Sequence, residues 1–229
     1  MGSETGRPGL LPRTVSLAAS ARLEGVAGSG GELWFVIAGH GLLASREPAG
    51  PWREAPAEPD TGLWLPPRTG YRLTPRENIS LNAVSLPVSD SARPGPVHAS
   101  RLGECEVERT GDRRFRVLFG PGRGCEAATA FVGEIPPGRA PEHTHPYDEI
   151  VLVLRGEGVA HTRPAAGGAV AGGAVAGGVV DRPLAPGRRV HLPPGLPHCL
   201  ENTGRDTLVV LGVFHPGGSP ATKTEPARH

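Results

Sequence analysis

An all-β protein of short strands and many turns is what this sequence predicts, and three observations predict it. Glycine (34) and proline (26) make up about a quarter of the 229 residues while hydrophobic residues are 38%, a balance that suits turn-rich sheets better than a helical bundle or a disordered chain. Apolar runs of five to eleven residues recur along the chain, and Gly, Pro and Asn punctuate nearly all of them. No stretch of a dozen residues keeps a 3.6-residue apolar period unbroken by proline or glycine, short pieces near Thr14 to Ala21 apart. A β-sandwich or barrel architecture with little helix follows.

The expected strands, in order, are 33–38 (LWFVIA), 62–66 (GLWLP), 78–88 (NISLNAVSLPV), 114–119 (RFRVLF), 129–135 (TAFVGEI), 149–156 (EIVLVLRG), 188–193 (RRVHLP) and 207–214 (TLVVLGVF). Each has the β-branched and aromatic content, and the flanking turn residues, of a buried strand. Segment 89–100 is polar, proline-bearing and without alternation, so it is the expected linker between two halves. The tract 164–180, PAAGGAVAGGAVAGGVV, is a low-complexity repeat of small residues. It is too short and too weakly hydrophobic for a membrane span and cannot bury enough surface to hold one conformation, so it reads as a mobile loop.

Composition narrows the function. Lys and Arg (24) balance Asp and Glu (23), which leaves no electrostatic footprint for nucleic acid or an anionic membrane. Cys105, Cys125 and Cys199 are too few and scattered for a zinc ribbon or a disulfide scaffold, so reduced thiols are expected. The first residues, MGSETGRPGLLPRT, lack the charged-then-apolar order of a secretion signal. A cytoplasmic location is the expectation.

The chemistry concentrates in two segments. In 138–156, GRAPEHTHPYDEIVLVLRG, His143 and His145 stand two apart and Glu149 follows four later. Strand alternation puts both imidazoles on one face, and a returning strand brings Glu149 beside them. Segment 187–202, GRRVHLPPGLPHCLEN, supplies His198 after a second turn. Three imidazoles and one carboxylate suit one divalent transition metal, Fe, Mn, Ni, Co, Cu or Zn, with positions left open for water or substrate.

At these residues the chain resembles the cupin superfamily, whose two motifs are written G(X)5HXH(X)3-4E(X)6G and G(X)5PXG(X)2H(X)3N. Gly187, Pro193, Gly195, His198 and Asn202 match the second in full. His143, His145, Glu149 and Gly156 match the first, whereas Gly138 precedes His143 by one residue fewer than the pattern asks. The resemblance implies a metal bound by His143, His145, Glu149 and His198 inside a small barrel.

The first half looks like a degenerate copy. Glu32 lies seven before Gly39 as Glu149 lies seven before Gly156, and LPPRTGY (65–71) overlays LPPGLPH (192–198), placing Tyr71 at the position of His198. Counting back from Glu32 puts Val26 and Gly28 at the positions of His143 and His145, so this half should bind no metal. Two cupin-type jelly-roll barrels are thus expected: a tail at 1–13, a degenerate barrel at 14–90, a linker at 91–110, a metal-binding barrel at 111–215 with the 164–180 insertion, and a tail at 216–229. Trp34, Phe35, Val36 and Ile37 are expected to pack against the other barrel or a second subunit, and the resemblance implies a homo-oligomer with a dimer favoured.

Tyr147 and Asp148, beside Glu149, could orient a ligand or simply be solvated. His161 and His191, on expected strands, are candidates for a general acid or base near the metal, or are outward-facing. Arg116, Arg139 and Arg155 could pair with an anionic substrate, and nothing singles one out. Cys199 reads as a small buried residue of the barrel wall, while a bridge between Cys105 and Cys125 stays open. The resemblance implies an enzyme acting on a small, oxygen-chelating organic molecule. An iron-dependent dioxygenase stands first. A metal-dependent decarboxylase, isomerase or cyclase, or a non-catalytic binding or sensing protein, is the alternative.

Overall fold

The computed structural model describes residues 9–163 and 178–221, with two two-residue strands between them, Ala169–Val170 and Gly173–Ala174. Residues 1–8 of the expected tail at 1–13, residues 222–229 of that at 216–229, and most of the Ala/Gly/Val tract lie outside the described residues. The chain divides into two compact units, one running to Cys105 together with Leu118–Ala130, the other comprising Glu106–Val117 and the residues from Phe131 onward. Among the described residues no helix is long and apolar enough to cross a membrane.

The first unit contains β1 (Leu11–Leu17), β2 (Leu23–Val26), β3 (Glu32–Ala38), β4 (Gly41–Arg46), β5 (Arg53–Ala57), β6 (Thr61–Leu65), β7 (Gly70–Pro75), β8 (Ile79–Ser85) and β9 (His98–Arg101). They form two antiparallel sheets, ordered β1-β8-β3-β6-β9 and β2-β7-β4-β5. Trp34, Val36, Leu43, Leu63, Leu65, Leu73 and Leu81 fill the space between them.

In the second half of the chain come β10 (Glu108–Thr110), β11 (Arg113–Phe119), β12 (Thr129–Ile135), β13 (Gly138–Arg139), β14 (Asp148–Arg155), β15 (Gly158–Thr162), β16 (Ala169–Val170), β17 (Gly173–Ala174), β18 (Val180–Leu184), β19 (Arg189–Leu192), β20 (His198–Asn202) and β21 (Leu208–His215). The main sheets run β10-β11-β12-β21-β14-β19 and β13-β20-β15-β18. Val151, Val153, Leu184, Val190, Leu192, Leu208 and Val210 form one core cluster, and Phe115, Phe131, Tyr147 and Phe214 a second, aromatic one. The architecture is the expected pair of all-β, jelly-roll-like sandwiches.

Strand pairing repeats between the units with the same offsets. Glu32 faces Leu65 as Glu149 faces Leu192. Gly41 faces Pro75 and Ser45 faces Tyr71, as Gly158 faces Asn202 and Thr162 faces His198. Each glutamate-bearing strand has a register shift at the same place, between Val36 and Ala38 and between Val153 and Arg155. A one-residue slip would turn every side chain to the opposite face, so a repeat of register this close fixes the alignment of Glu32 with Glu149 and of Tyr71 with His198. One position differs from the count along the sequence. Gly25 faces Tyr71, as His143 faces His198, whereas Val26 points to solvent at 66% exposure. The link from that residue to the glutamate is one residue longer in the first unit.

Three expectations need correction. The tail at 1–13 already enters β1 at Leu11, and Thr14 to Leu17 are strand and not helix, pairing with β8. The linker at 91–110 contains β9, which pairs with β6, and β10, which pairs with β11; both are short, polar edge strands without the alternation that marks a half-buried strand. Trp34 and Val36 pack in their own unit's core instead of outward, while Phe35 is buried and Ile37 is exposed.

Arg68 holds φ at +61°, and its counterpart Gly195 holds +74°. A side chain in this left-handed conformation crowds the backbone, and only glycine adopts it freely. We expect Arg68→Gly to raise unfolding free energy by about 1 kcal/mol, measured by urea denaturation. All three cysteines are free, with Cys125 and Cys199 buried and Cys105 half-buried, and burial pushes the Cys125 thiol up to about 11. Iodoacetamide at pH 8 should therefore label Cys105 in the native protein well before Cys125; equal rates would contradict this packing.

Candidate metal centre

Backbone bonds set the frame of the site before any side chain acts. The N–H of His143 donates to His198 O and that of His198 to His143 O, each at 3.0 Å, so the segment after β13 is pinned to the start of β20. The turn between β19 and β20 is tied to the same segment through Gly195 N–H, which donates to His145 O at 2.9 Å. Glu149, second in β14, is held between Leu192 of β19 and Phe214 of β21. Two segments almost fifty residues apart in the chain thereby meet at one end of a sandwich.

The imidazoles are oriented by the backbone. Nδ1 of His143 donates to Pro141 O at 3.2 Å, Nδ1 of His145 to Tyr147 O at 2.8 Å, and Nδ1 of His198 to Leu196 O at 2.8 Å. A carbonyl can only accept, so each Nδ1 carries the proton and each Nε2 is left as the metal-binding nitrogen. Nε2 of His145 stands 2.7 Å from Glu149 Oε2, and Nε2 of His198 stands 3.9 Å from the same oxygen. His145, Glu149 and His198 are all buried, and their donor atoms lie within 4.8 Å of one another, a trio that could hold a metal ion. His143 stands outside that trio, its ring centroid 4.5 Å from that of His198 and 6.3 Å from that of His145. Burial pushes the His198 pKa down to about 4, although the Glu149 charge opposes the shift. Its ring is therefore neutral, the state a metal ligand requires.

The four residues open onto a cavity of about 80 Å³ walled by Phe115, Phe131, Ile135, Val151, Leu200 and Val210. A cavity of this size holds a few waters or a small organic acid. Arg113, which the sequence reading did not single out, also lines it. Its Nη2 donates to Leu200 O at 3.0 Å, and no carboxylate among the described residues forms a salt bridge with it. Burial lowers its pKa, the nearby Asp112 opposing the shift. Neighbouring Arg114 and Arg116 instead both grip Glu134, at 2.5 and 2.6 Å. Arg113 shares the strand parity of buried Phe115, and this alternation is the signal that could have found it.

Comparison with known proteins now has a geometry to refer to. Residues 131–214 match the cupin domain family. That match covers somewhat over a third of the chain and falls within the second unit. No curated protein sequence matches the chain. Similar solved structures are an oxalate decarboxylase studied for its substrate-binding mode (13% identity, 93% of this chain and 70% of that one, TM-score 0.74), the Lactobacillus farciminis oxalate decarboxylase formate complex (12%, 91% and 77%, TM-score 0.73), and a Bacillus subtilis oxalate decarboxylase studied for its Mn(II) centres (14%, 92% and 70%, TM-score 0.73). At these identities the likeness is one of fold.

The remaining expected site residues divide between this cavity and other faces of the fold. Tyr147 lines it, stacked on the His145 ring at 4.4 Å with an interplanar angle of 11°. Burial and then the Glu149 charge raise its pKa, so the phenol stays protonated. His161 and His191 do not line the cavity. Thr162 faces His198 across the ladder, so His161 belongs to the opposite face of β15; there its two nitrogens meet Asp181 Oδ1 at 2.7 Å and Glu201 Oε2 at 2.8 Å. His191 lies on the edge strand β19, half-exposed and paired with Asp148, and that hydrogen bond raises its pKa. Of the three arginines considered, Arg116 pairs with Glu134, Arg139 donates to Cys199 Sγ at 3.4 Å, and Arg155 is exposed.

Two motif residues serve the backbone. Gly156 turns β14 into β15 at φ +86°, where an added Cβ would stand 2.9 Å from Leu208 Cα. Buried Asn202 donates to Ile135 O and Asp206 O, both at 2.8 Å, and accepts from Gly204 N–H at 2.9 Å. Replacing Asn202 with Ala should lower unfolding free energy by about 2–4 kcal/mol, since three hydrogen bonds go and a buried carbonyl loses its donor. Denaturation of the metal-free protein measures this, and a loss below about 1 kcal/mol would contradict the assignment.

Proposed function

We propose that the second unit is a metal-dependent enzyme acting on a small organic acid, with decarboxylation as its reaction, and that the first unit is a structural partner that holds no metal. One observation carries the reading: three oriented imidazoles and a carboxylate share a small apolar cavity with Arg113, a guanidinium without a carboxylate partner. The donor set fits an ion. Atoms bound to one metal at about 2.1 Å stand about 3 to 4 Å apart, close to the separations of Glu149 Oε2 from the two Nε2 atoms. His143, His145, Glu149 and His198 are the proposed ligands, and an ion held there would polarise the substrate's oxygens as a Lewis acid.

The chain's own groups define what enters. Arg113 pairs with the substrate's carboxylate. The aromatic and aliphatic walls exclude water and strengthen that pairing. Tyr147, stacked on His145 and accepting its Nδ1 proton through the backbone carbonyl, keeps that ring in position. Resemblance at the level of motifs puts iron-dependent dioxygenation first, whereas the solved neighbours are oxalate decarboxylases and one was studied for its Mn(II) centres. These support decarboxylation and manganese ahead of dioxygenation and iron. The three free thiols suit a reducing, cytoplasmic compartment, and the dimer implied by the cupin resemblance belongs to the same proposal.

A non-catalytic binding role is the second reading. It is favoured by one observation: apart from Glu149, the carboxylate lining the cavity is Glu134, engaged by two arginines and not placed as a free base. The deciding assay supplies the metal-loaded protein with oxalate and simple keto acids while CO2 and O2 are both followed. CO2 release without matching O2 uptake is expected. Stoichiometric O2 uptake would return the assignment to a dioxygenase, and binding without turnover would favour the second reading.

Two variants test the residues. His143→Ala should lose most of its metal by elemental analysis while keeping its fold; full retention would remove His143 from the ligand set. Arg113→Met should keep its metal yet bind oxalate roughly 10- to 100-fold more weakly, because a charge-assisted bond in a dry cavity is lost. Unchanged affinity by calorimetry would eliminate Arg113 as the acid's partner.

A further inference from the structure

The stretch after β21 was expected to begin a disordered tail, yet its first residues pack onto the site. The Tyr147 ring stacks on His145, at 4.4 Å, and on Phe214, at 4.2 Å, and those two rings in turn lie 5.9 Å from each other. Its hydroxyl donates to Ser219 O at 3.3 Å. Gly218 lies against the edge of the same ring, where an added Cβ would stand 2.7 Å from Tyr147 Cε1 and 3.0 Å from Cδ1. Pro220 then forms part of the wall of the cavity that holds His143, His145, Glu149 and His198. Ala221 N–H donates to Ser219 Oγ at 3.2 Å, closing the turn.

We infer that residues 216–221 are a strap across the metal cavity, seated on Tyr147, and that its position sets the size of acid the site admits. This rests on the proposed function, since the cavity is taken to be the substrate site. Tyr147 is a suitable post because its buried ring packs against two others, His145 and Phe214, which leaves it little freedom to turn. Gly218 allows the backbone to lie on that post, and a larger residue must lift the strap. The hydroxyl of Tyr147 ties the segment through a backbone carbonyl, and the segment has no strand pairing. It therefore belongs to the part of the molecule that opens at low free energy. Closed, it places a rigid proline ring at the cavity wall. The strap thus acts as a specificity-determining element made of residues outside both metal-binding motifs.

The test uses the full chain, its Gly218→Val variant and, should that variant fold poorly by circular dichroism, Tyr147→Phe, which removes the tie to Ser219 and keeps the ring. The first readout needs no metal: carbethoxylation of His145 by diethyl pyrocarbonate in the metal-free protein, located by mass spectrometry. Lifting the strap should speed this modification by about fivefold or more. The second readout is calorimetry of Mn2+-loaded protein with oxalate and with bulkier phthalate. Wild type should bind oxalate and exclude phthalate, while Gly218→Val should admit phthalate, with its oxalate affinity and metal content within about twofold of wild type. Unchanged carbethoxylation together with unchanged exclusion of phthalate would overturn the strap. Phthalate binding as tight as oxalate in wild type would overturn its role in selection. A faster carbethoxylation in a protein that takes up no Mn2+ would uphold the strap and reject the metal site instead.

Discussion

Everything at the second unit's site depends on three backbone carbonyls, those of Pro141, Tyr147 and Leu196, each accepting a proton from an imidazole Nδ1. These bonds decide the tautomer, and the tautomer decides that Nε2 is an acceptor. Nε2 of His145 consequently presents a lone pair to a carboxylate oxygen 2.7 Å away. Two acceptors that close and that deeply buried repel unless a positive charge is shared between them, as a second proton or as a metal ion. Burial pushes His198 towards its neutral form, so extra protons are disfavoured in that part of the cluster and an ion remains the better source of charge.

The first unit solves the same electrostatic problem without an ion. Glu32 occupies the register position of Glu149 and is just as buried. There, however, Arg13 Nη2 and Trp34 Nε1 each donate to Glu32 Oε2 at 2.7 Å. A desolvated carboxylate needs compensating charge and donors, and the guanidinium brought in by β1 supplies both. Tyr71 takes the place of His198 and packs edge-on to Trp34 at 4.8 Å. Its hydroxyl comes within 2.5 Å of where a Cβ on Gly25 would stand, so the space that a histidine would need opposite it is filled. Loss of ligands and gain of an internal cation are two sides of one change, and together they explain how a glutamate can persist where no metal is expected.

What could be read from the sequence divides along physical lines. All eight strands expected from apolar runs belong to the five- and six-stranded sheets, whose central strands are buried on both faces, as β14 is from Glu149 to Val153. The strands of the two four-stranded sheets were largely missed. In β2, β7 and β18 exposed residues alternate with buried or half-buried ones, and over four to six residues such alternation is hard to tell from a loop. The ligand set was legible because motif spacing encodes turns and register, both local properties. Arg113 and the strap were not, since each reaches the cavity through packing between segments far apart in sequence. His161 was legible as a strand residue but not as to face, because its partners Asp181 and Glu201 come from two other strands.

The sorting of cations carries the argument for an acidic substrate one step further. Arg13 is matched to Glu32, and Arg114 and Arg116 to Glu134, each guanidinium being paired within the fold. Arg113, more enclosed than its neighbour Arg114, is given a carbonyl and no carboxylate. A neutral acceptor satisfies one N–H but leaves the charge only partly offset by the nearby Asp112 and Glu149; burial lowers its pKa, and the arrangement is unfavourable in the empty protein. An anion arriving with the substrate relieves it. That gain is available only to a molecule carrying negative charge and small enough for a cavity of about 80 Å³. Neutral diols and phenols of the same size would leave the guanidinium as it was, and for this reason the proposed substrate is an acid.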